Sequence, residues 1–521
     1  MTAPKTYYIT TAIAYVNGPP HLGHAYEVIS TDVMARFKRL DGFDVFFLTG
    51  TDEHGQKVAK TAAAAGKEPK AFCDEIAALF KQMDAELGIS YDRFIRTTED
   101  GHYRASQAIW RRIAEAGDIY LEKYSGWYST RDEAFFDESE LTEGPDGKKL
   151  SPYGGECEWV EEPSYFFRLS AYTDRLLEHY EKHPDFIQPD FRRNEVVSFV
   201  RQGLRDLSIS RTTFNWGVPV PDAPDHVMYV WLDALTNYIT GLGFPDEGGR
   251  MATHWPADLH IIGKDIVRFH TVYWPAFLMS AKLPLPKRVF GHGFLNIEGA
   301  KMSKSLGNVL SPKALTEEFG LDQLRYFLLR EVPYGSDGSF SREQIISRIN
   351  SDLANDLGNL AQRVLSMTGR YCGGAVPEPA ALTAEDEALI RQADALLPAM
   401  RAEIDVQAFH EALEAAWVLI RAANGYVDRQ APWTLSKTDP ARAGTVLYAL
   451  METVRTLGIL LQPFMPGSCA KLLDQLAVPA DSRTFAHLGR DHALAPGAQL
   501  PKPQGVFPRF IDKDASGEPA V

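Results

Sequence analysis

The chain contains few cysteines, and the four that it has stand far apart. Cys73, Cys157, Cys372 and Cys469 form no Cys-x-x-Cys pair anywhere in the 521 residues. Disulfide frameworks and all-cysteine metal sites both need paired or closely spaced cysteines, so the sequence predicts neither. The thiols are expected to stay reduced.

Long apolar runs are also missing. No uninterrupted apolar stretch reaches the length of about 18 residues that a membrane-spanning helix needs. The amino-terminal segment MTAPKTYYIT carries no apolar run before a cleavage site, as a secretory signal would. We therefore expect a cytoplasmic protein with no membrane partner.

The chain has no excess of positive charge. It contains 54 lysines and arginines and 69 aspartates and glutamates, which gives a net charge of −15. Net charge sums over the whole surface, so it does not exclude a nucleic-acid partner that binds a local basic groove. With 45% hydrophobic and 24% charged residues, the composition is that of a globular protein. At this length we expect roughly two to four domains with a sizeable core, which excludes fibrous and disordered classes.

The first fifty residues predict a strand, a helix and a second strand. Residues 7–13 are rich in β-branched and aromatic types, residues 21–40 carry apolar residues at helical spacing, and residues 44–50 form another apolar run. This pattern is typical of a right-handed βαβ unit in a parallel sheet. His21 stands at the predicted helix start, where unpaired backbone amides and the helix dipole favour an anion.

The rest of the chain predicts an insertion, a return of the sheet and a helical region. Residues from about 119 to 160 mix aromatic and acidic residues with turn signals, as in short strands and loops. The strings DLHIIGKD and KRVFGHGFLNI then read as buried strands that end at glycine-bearing loops, where open α/β sheets bind ligands. From Ser341 onward helical spacing prevails, for example at Val406, Phe409, Leu413, Ala416, Trp417, Ile420 and Val427. The predicted fold class is an α/β parallel-sheet domain of Rossmann type, split by an insertion and followed by an all-α bundle.

Two short strings indicate phosphate chemistry. They are His21-Leu22-Gly23-His24 and Lys301-Met302-Ser303-Lys304-Ser305. Each puts imidazole or ammonium donors beside glycine or serine, so that a phosphate can come close to the backbone while charge develops on it. Taken singly, the first string also fits two surface histidines and the second a solvated basic loop.

If the chain binds ATP beside a small carboxylate, the nucleophile is already ionised and needs no general base. Catalysis then reduces to positioning and to stabilising charge on the α-phosphate and the leaving pyrophosphate. His21 and His24 suit the first task, and Lys301 and Lys304 suit the second on a loop that closes and opens. Mg²⁺ is expected with the nucleotide, held mainly by phosphate oxygens.

In this order the two strings resemble the signatures of the class I aminoacyl-tRNA synthetases. More narrowly, the chain resembles the methionyl-tRNA synthetase family nearly end to end, on the strings TAIAYVNGPPHLGHAYE, TDEHG, YVWLDALTNY, IIGKDIVRFHTVYWPAFL and GHGFLNIEGAKMSKS. The resemblance implies ATP-dependent activation of L-methionine to methionyl-adenylate. It also implies transfer of the methionyl group to the 3′-terminal adenosine of tRNA-Met, with release of AMP and pyrophosphate.

The resemblance also implies site residues. The methionine pocket falls on Ile13, Tyr15, Asp52, Trp231, Ala234, Leu235, Tyr238, Ile266, His270 and Trp274. ATP binding falls on Gly23, Glu27, Gly263, Asp265, Gly293, Lys301, Ser303 and Lys304. An aromatic and aliphatic pocket suits a polarisable thioether, and a carboxylate such as Asp52 suits the substrate ammonium, although any one of these rings also fits plain core packing.

The resemblance also implies contacts to the anticodon and to the acceptor end of the tRNA. The anticodon candidates are Asn359 and Arg363, four apart and hence on one helix face, and Trp433, whose ring is suited to stacking on an unpaired base. The bland alternative is a surface asparagine, a salt-bridged arginine and a core tryptophan. Arg211 is a candidate for the tRNA acceptor end or for ATP.

One departure from the family concerns zinc. Ser129, Asp132, Ser151 and Gly154 stand where many members carry the two cysteine pairs of a zinc knuckle. A structural zinc site needs three or four thiolate or imidazole ligands, and Cys157 alone does not supply them, so we expect no zinc.

The resemblance and the shifts in composition predict the domain boundaries. Residues 1–117 form the first half of the catalytic domain, 118–225 the connective-peptide insertion, 226–310 the second half with the lysine loop, 311–345 a stem-contact linker, 346–495 the helical anticodon-binding domain and 496–521 a C-terminal tail. No further appendage suggests a dimer, so a monomer is the default expectation. No separate editing domain is evident. Since an apolar pocket separates substrates that differ by one methylene by only about 1–3 kcal/mol, rejection of homocysteine falls to the synthetic site.

Three alternatives stay open at this point. A synthetase for another apolar amino acid would exchange pyrophosphate with that amino acid instead of methionine. A nucleotidyltransferase that adenylylates a small molecule would not charge tRNA, and the long helical region argues against it. A catalytically silent tRNA-binding relative conflicts with the two intact strings.

Overall fold

The structure is a computed structural model that describes residues 5–132, 134–144, 147–297, 300–301 and 310–512. The chain divides into two compact units. The sheet unit comprises Thr6–Thr31 and Val45–His292, and the helical unit comprises Met1–Lys5, Asp32–Asp44 and Gly293–Val521. No helix in the described part of the chain is both long and apolar enough to cross a membrane.

The sheet unit is built on a seven-stranded sheet. In spatial order its strands are Ile187–Gln188, Val289–His292, Leu259–Gly263, Thr6–Thr11, Asp44–Asp52 and Ala14–Tyr15, with Arg93–Arg96 also paired to Asp44–Asp52. Thr6–Thr11 pairs in parallel with Leu259–Gly263, which lies some 250 residues later in the chain. The two runs read as strands on either side of the insertion therefore meet in one sheet, as the predicted split domain requires.

Close strand packing constrains one glycine of this sheet. Gly50 pairs with Ile95 in the parallel register, and a Cβ added at Gly50 would lie 2.0 Å from the Ile95 carbonyl oxygen. No larger residue fits without moving a strand. The glycine thereby keeps the strand end that carries Asp52 close to its neighbour.

Helices surround this sheet. In the sheet unit they are Gln56–Ala64, Pro69–Glu86, Asp100–Glu115, Thr173–Lys182, Asp190–Arg201, Val230–Thr240, Gly249–His254 and Trp274–Ser280. Helix Leu22–Leu40 follows the first strands, as the helical spacing of residues 21–40 predicts. Helix Val230–Thr240 is buried along nearly its whole length, which explains why its sequence is apolar or small at almost every position.

A second, six-stranded sheet occupies much of the predicted insertion. Its longest pair is Ile119–Ser129 with Glu156–Phe167, antiparallel from Ile119 opposite Phe167 to Ser129 opposite Cys157. Ala134–Phe136, Thr142–Glu143, Lys149–Leu150 and Leu207–Ser208 complete it. A separate three-stranded sheet consists of Ser210–Arg211, Pro219–Val220 and Ala223–Met228.

The helical unit contains a small sheet of Leu295–Ile297, Ala300–Lys301 and Gly338–Phe340 and a set of helices. These helices are Pro312–Phe319, Leu321–Arg330, Arg342–Arg348, Asn359–Tyr371, Ala384–Asp394, Leu396–Asp405, Phe409–Gln430, Pro432–Thr438, Pro440–Leu460 and Pro466–Gln475. A π-helix, Ile349–Gly358, joins Arg342–Arg348 to Asn359–Tyr371. The predicted fold class, a parallel α/β domain followed by an all-α bundle, is confirmed.

One residue of the predicted helical stripe lies elsewhere. Helix Phe409–Gln430 buries Phe409, Trp417 and the stripe residues between and beyond them, as the spacing predicts. Val406 follows the preceding helix as its C-cap and is 57% exposed, so it does not belong to the stripe. The chain turns there through Gln407, whose φ is 59°.

Within the helical unit, a buried ion pair joins two segments that are distant in sequence. The Arg325 guanidinium donates to the Asp32 carboxylate at 2.6 Å, and both side chains are fully buried. Arg325 also donates to the carbonyl oxygens of Pro463 and Phe464 at 2.9 and 3.1 Å. A buried charge pair of this kind is costly to break, because removing one partner leaves the other charge uncompensated.

Candidate active site

The first signature string forms the entrance to helix Leu22–Leu40, and its two imidazoles are held by the backbone. The Gly23 N–H donates to Nδ1 of His21 at 3.1 Å, and the His21 N–H donates to Nδ1 of His24 at 3.2 Å. The ring centroids lie 3.9 Å apart. Because both Nδ1 atoms accept hydrogen bonds, the proton of each neutral ring resides on Nε2. The helix entrance thus offers two imidazole N–H donors at its positive end.

A carboxylate one turn further along the helix is paired with a histidine that the sequence reasoning missed. Glu27 Oε2 lies 2.9 Å from His292 Nε2, and the Tyr26 ring packs edge-on against His292 at 5.5 Å. Burial raises the pKa of Glu27, and the hydrogen bond and charge of His292 counter that rise. The signal for His292 was its place at the end of a predicted strand, inside the string Gly-His-Gly.

The predicted methionine residues include a chain of aromatic contacts. The Tyr238 hydroxyl lies 2.6 Å from His270 Nε2, and the Tyr238 ring packs 6.2 Å from Trp274. Trp231 meets His270 edge-on at 6.3 Å and stacks flat on Phe269 at 3.7 Å. Phe269 was not among the predicted residues, although it directly precedes His270. The structure thus brings together four side chains that are up to 43 positions apart, from 231 to 274.

The protonation of His270 follows from its surroundings. Its Nδ1 lies 2.9 Å from the Ile266 carbonyl oxygen, which only accepts, so Nδ1 carries the proton. Nε2 then accepts from the Tyr238 hydroxyl. Burial lowers the pKa of His270 to about 4, so the ring is neutral at physiological pH. A neutral imidazole bonded to a phenol suits an uncharged, polarisable ligand.

The remaining predicted methionine residues lie in the same unit. Ile13, Tyr15, Trp231 and Ile266 are half-buried and pack against the core that contains Leu235 and Tyr238, while Ala234 is buried on the same helix. Tyr15 stands opposite Asp52 in the parallel register, and its hydroxyl donates to the His54 carbonyl oxygen at 3.1 Å. Asp52 is a largely buried carboxylate at the end of its strand.

The predicted nucleotide residues fall in both units. In the sheet unit, Gly263 ends a buried strand, and a Cβ there would lie 2.7 Å from Oδ1 of the exposed Asp265. In the helical unit, a Cβ on Gly293 would lie 2.1 Å from the Ser336 carbonyl oxygen, so close backbone packing alone demands glycine there. The backbone of Lys301 lies in the short strand Ala300–Lys301, and Ser303 and Lys304 lie outside the described residues.

Arg211 is predicted to contact tRNA or ATP. The residue is only 2% exposed and so has little surface for such a contact in this structure. Its guanidinium donates to the Ser208 hydroxyl at 2.8 Å and lies 4.7 Å from the centroids of the Phe135 and Tyr229 rings. These cation–π contacts supply a packing reason for the residue. Its role toward tRNA or ATP stays a prediction.

The anticodon candidates meet on the surface of the helical unit. Asn359 and Arg363 lie on helix Asn359–Tyr371, and Asn359 is exposed. Arg363 donates to Asp428 at 2.8 Å, and its guanidinium lies 5.9 Å from the ring centroid of Trp433. The structure thus has the surface asparagine and the salt-bridged arginine of the bland alternative, whereas Trp433 is 40% exposed and is not a core tryptophan.

The residues at the zinc-knuckle positions form a hydrogen-bond cluster instead. The hydroxyls of Ser129 and Ser151 both donate to Asp132 Oδ2, the first at 2.8 Å. Burial raises the pKa of the Cys157 thiol, which keeps it protonated. Hydroxyls, one carboxylate and one neutral thiol do not fit a structural zinc site. No group of three or more histidine, cysteine or acidic side chains in the described ranges is arranged to hold a metal ion.

Comparison with known proteins agrees with these features. Residues 7–365 match the family described as "tRNA synthetases class I (M)", and residues 376–518 match "Anticodon binding domain of methionyl tRNA ligase". The chain is 59% identical to the methionine–tRNA ligase of Brucella suis over 98% of this chain and 99% of that protein. It is 60% identical to the methionine–tRNA ligase of Mesorhizobium japonicum over 98% of both chains.

A solved structure, Mycobacterium tuberculosis methionyl-tRNA synthetase in complex with methionyl-adenylate, is 58% identical and superposes with a TM-score of 0.95. That match covers 97% of this chain and 100% of the other. The family models, the relatives and the shared fold thus all agree. The chain therefore belongs to the methionyl-tRNA synthetases, the class I aminoacyl-tRNA synthetases that ligate methionine to tRNA.

Proposed function

We propose that the chain carries out methionine activation with the residues that the sequence assigned. The observation that carries this proposal is the pair of imidazoles at the helix entrance, because His21 and His24 hold their Nε2 protons at the positive end of a helix. Both donors suit an α-phosphate that gains charge in the transition state. The methionyl-adenylate bound by the Mycobacterium tuberculosis relative supports the same reaction here.

In the first step, a carboxylate oxygen of methionine attacks the α-phosphorus of ATP, and the bond to the β,γ-pyrophosphate breaks. His21 and His24 stabilise the charge on the α-phosphate, and Lys301 and Lys304 neutralise the leaving pyrophosphate. Asp265 and the loop near Gly293 hold the ribose and adenine. The other residues assigned to ATP are Gly23, Glu27, Gly263 and Ser303. Mg²⁺ would enter with the nucleotide and be held mainly by its phosphate oxygens, where it would offset the charge of the leaving pyrophosphate.

Methionine selection rests on an aromatic pocket. Trp231, Tyr238 and Trp274 supply polarisable walls for the thioether. Because His270 is neutral, it places no charge beside the thioether. Asp52 pairs with the ammonium group of methionine, because that charge needs a partner when it leaves water. An amino acid with a charged side chain would lose its hydration in this pocket without a partner.

In the second step, a ribose hydroxyl of the terminal adenosine of tRNA-Met attacks the adenylate carbonyl, and AMP leaves. We assign anticodon recognition to Asn359, Arg363 and Trp433. The half-exposed indole of Trp433 has a face for a splayed base, and Asn359 is exposed for hydrogen bonds to base edges. Arg211 remains our candidate for the acceptor end or ATP.

The domain boundaries predicted from the sequence, a cytoplasmic location and a monomeric state are part of the same proposal. The antiparallel pair that begins at Ile119 supports the boundary near residue 118. Strand Ile187–Gln188, which lies inside the predicted insertion, belongs to the parallel sheet. Sedimentation at micromolar concentration tests the monomer, and a mass of twice the chain would contradict it.

Pyrophosphate exchange and tRNA charging, measured side by side, test the assignments. Substitution of His24 is expected to lower methionine-dependent exchange and charging together by about 10²–10³. Substitution of Trp433 is expected to lower charging and leave exchange intact. Exchange that depends on leucine instead of methionine would contradict the pocket assignment.

A further inference from the structure

A buried carboxylate that bridges two imidazoles lies beside the methionine residues and has no part in the steps above. Asp233 is fully buried on helix Val230–Thr240. Its Oδ2 lies 2.7 Å from His54 Nδ1, and its Oδ1 lies 2.7 Å from His102 Nε2. Both rings are buried as well. A buried network that contains a charge lowers the stability of the fold unless each of its polar groups has a hydrogen-bond partner.

The protons of this network are assigned by its chemistry. Burial opposes the charge on Asp233, but the two imidazoles outweigh burial and hold the pKa of Asp233 at about 2. An ionised carboxylate only accepts hydrogen bonds. His54 therefore carries a proton on Nδ1 and His102 carries one on Nε2.

The far sides of both rings are also bonded. His54 Nε2 lies 3.0 Å from the Tyr103 hydroxyl, and His102 Nδ1 lies 3.0 Å from the Thr240 hydroxyl. The network thus ties helix Asp100–Glu115 and helix Val230–Thr240 to the segment that follows strand Asp44–Asp52. Each ring is held at both nitrogens, so neither has freedom to rotate.

The segment around His54 is clamped independently by Trp216. Its indole N–H donates to the Glu53 carbonyl oxygen at 2.6 Å, and its carbonyl oxygen accepts from the Gly55 N–H at 3.1 Å. Two hydrogen bonds to Trp216 therefore hold the segment that follows the strand. Asp52 stands one residue before this clamp.

The network connects the two halves of the methionine pocket. On one side, His54 follows Asp52 by two positions, and its carbonyl oxygen accepts from the Tyr15 hydroxyl. On the other side, Asp233 lies two positions after Trp231 and directly before Ala234. One charged hydrogen bond, from His54 to Asp233, joins the ammonium side of the pocket to its apolar side.

We propose that Asp233, together with His54 and His102, is a positioning device that sets the separation between Asp52 and the helix that lines the thioether pocket. It touches neither substrate. The inference rests on the proposed assignment of Asp52 and Trp231 to methionine. The network acts on methionine binding and leaves the nucleotide side of the site untouched.

Asp233→Asn is the sharpest test, because it keeps the shape and removes the charge. The amide turns an N–H₂ donor toward one imidazole N–H, so that ring must change its tautomer or lose the bond, and neither ring keeps a charged acceptor. In methionine-dependent pyrophosphate exchange, KM for methionine is expected to rise about tenfold or more while KM for ATP changes less than about twofold, since the lost positioning is specific to one substrate. The change in kcat is expected to be smaller than the change in KM for methionine.

Asp118→Asn is the matched control. Asp118 accepts from the Tyr172 hydroxyl at 2.5 Å and from the Ser280 hydroxyl at 2.6 Å in the same unit, without a bond to the network. It is expected to lower the unfolding temperature and to leave KM for methionine unchanged. Equal rises of KM in both variants would overturn the proposal, because they would mark a general loss of packing.

A second pair of variants covers the case in which Asp233→Asn does not fold. The side-chain amide of His102→Gln can donate from the position of Nε2, whereas His102→Leu cannot donate. His102→Gln is expected to retain a near-normal KM for methionine, and His102→Leu to raise it. Equal KM values in these two variants would contradict a positioning role for the hydrogen bond.

Asp52→Asn separates this proposal from the function on which it rests. If Asp52→Asn leaves KM for methionine unchanged, the assignment of the pocket fails. If Asp52→Asn raises KM and the folded Asp233→Asn does not, the pocket stands and the positioning role is refuted.

Discussion

The Tyr238 hydroxyl donates a 2.6 Å hydrogen bond to Nε2 of His270, whose Nδ1–H donates in turn to the Ile266 carbonyl oxygen. The Tyr238 carbonyl oxygen accepts from the buried Tyr8 hydroxyl at 2.6 Å. A phenol and a neutral imidazole are thus fixed in one orientation at the centre of the methionine residues. Since we propose these residues for the methionine site, we expect methionine binding to depend on this hydroxyl.

Tyr238→Phe removes that hydroxyl and leaves Nε2 of His270 without its donor. A buried acceptor that loses its partner costs about 1–3 kcal/mol of folding free energy. Because the His270 ring is then no longer held in one orientation, KM for methionine is expected to rise by about tenfold. Pyrophosphate exchange over a range of methionine concentrations measures this.

Tyr180→Phe serves as its control, because the buried Tyr180 hydroxyl donates to the Thr271 carbonyl oxygen at 2.6 Å in the same unit. That variant is expected to lose stability and keep its KM. A normal KM in Tyr238→Phe would argue that the pocket does not use this hydroxyl.

His24→Asn tests the role of the helix-entrance imidazoles. The loss of one preorganised donor to a developing oxyanion typically lowers kcat by about 10²–10³. We expect this loss in exchange, with KM for methionine changed much less, because His24 stabilises the transition state and does not line the thioether pocket. A variant with normal kcat would exclude His24 from the chemistry.

Stability is expected to fall in acid partly through His270. Its pKa is about 4 in the folded chain and near 6.5 when unfolded, so between these values the unfolded chain binds a proton that the folded chain does not. The stabilisation is complete above about pH 6.5 and is lost as the pH falls toward 4, with an upper value of roughly 3 kcal/mol at about 1.4 kcal/mol per pKa unit. Urea unfolding at pH 7 and pH 4 is expected to show a smaller difference in His270→Gln. An unchanged difference would mean that other groups carry the acid dependence.

Arg363→Ala is expected to lower tRNA charging and to leave methionine-dependent exchange unchanged, because Arg363 lies against Trp433 in the helical unit. The loss of one contact to a base costs about 1–3 kcal/mol, so kcat/KM for tRNA is expected to fall by about 5- to 150-fold. Arg421→Ala is the matched control, since Arg421 also pairs with a single surface carboxylate, that of Glu414. An equal loss in both variants would point to nonspecific charge effects.

The insertion is expected to keep its folded structure without a bound metal ion. Asp132→Ala leaves the hydroxyls of Ser129 and Ser151 without their acceptor and is expected to cost about 1–3 kcal/mol of stability. Incubation with a chelator is expected to leave the unfolding temperature of the unaltered chain unchanged. A drop on chelation would show that a metal stabilises the fold.

The sequence by itself determined the order of elements and the reaction. The strand, helix and strand of residues 7–50, the insertion and the helical region follow from local periodicity, which neighbouring residues set. The two signature strings and the aromatic strings between them named the chemistry and the substrate, because residue types within a short string are readable without a fold.

Only the tertiary structure decided how those residues are held. His292 reaches Glu27 across 265 positions, and Asp233 joins His54 to His102 across 179 and 131 positions. No local pattern encodes such pairs, since burial and pairing depend on which strands and helices become neighbours. Val406, placed in a helical stripe by its spacing, lies at a turn for the same reason, as the chain direction there depends on packing. The protonation of His270 and Asp233 likewise follows from burial and partners, which exist only in the folded chain.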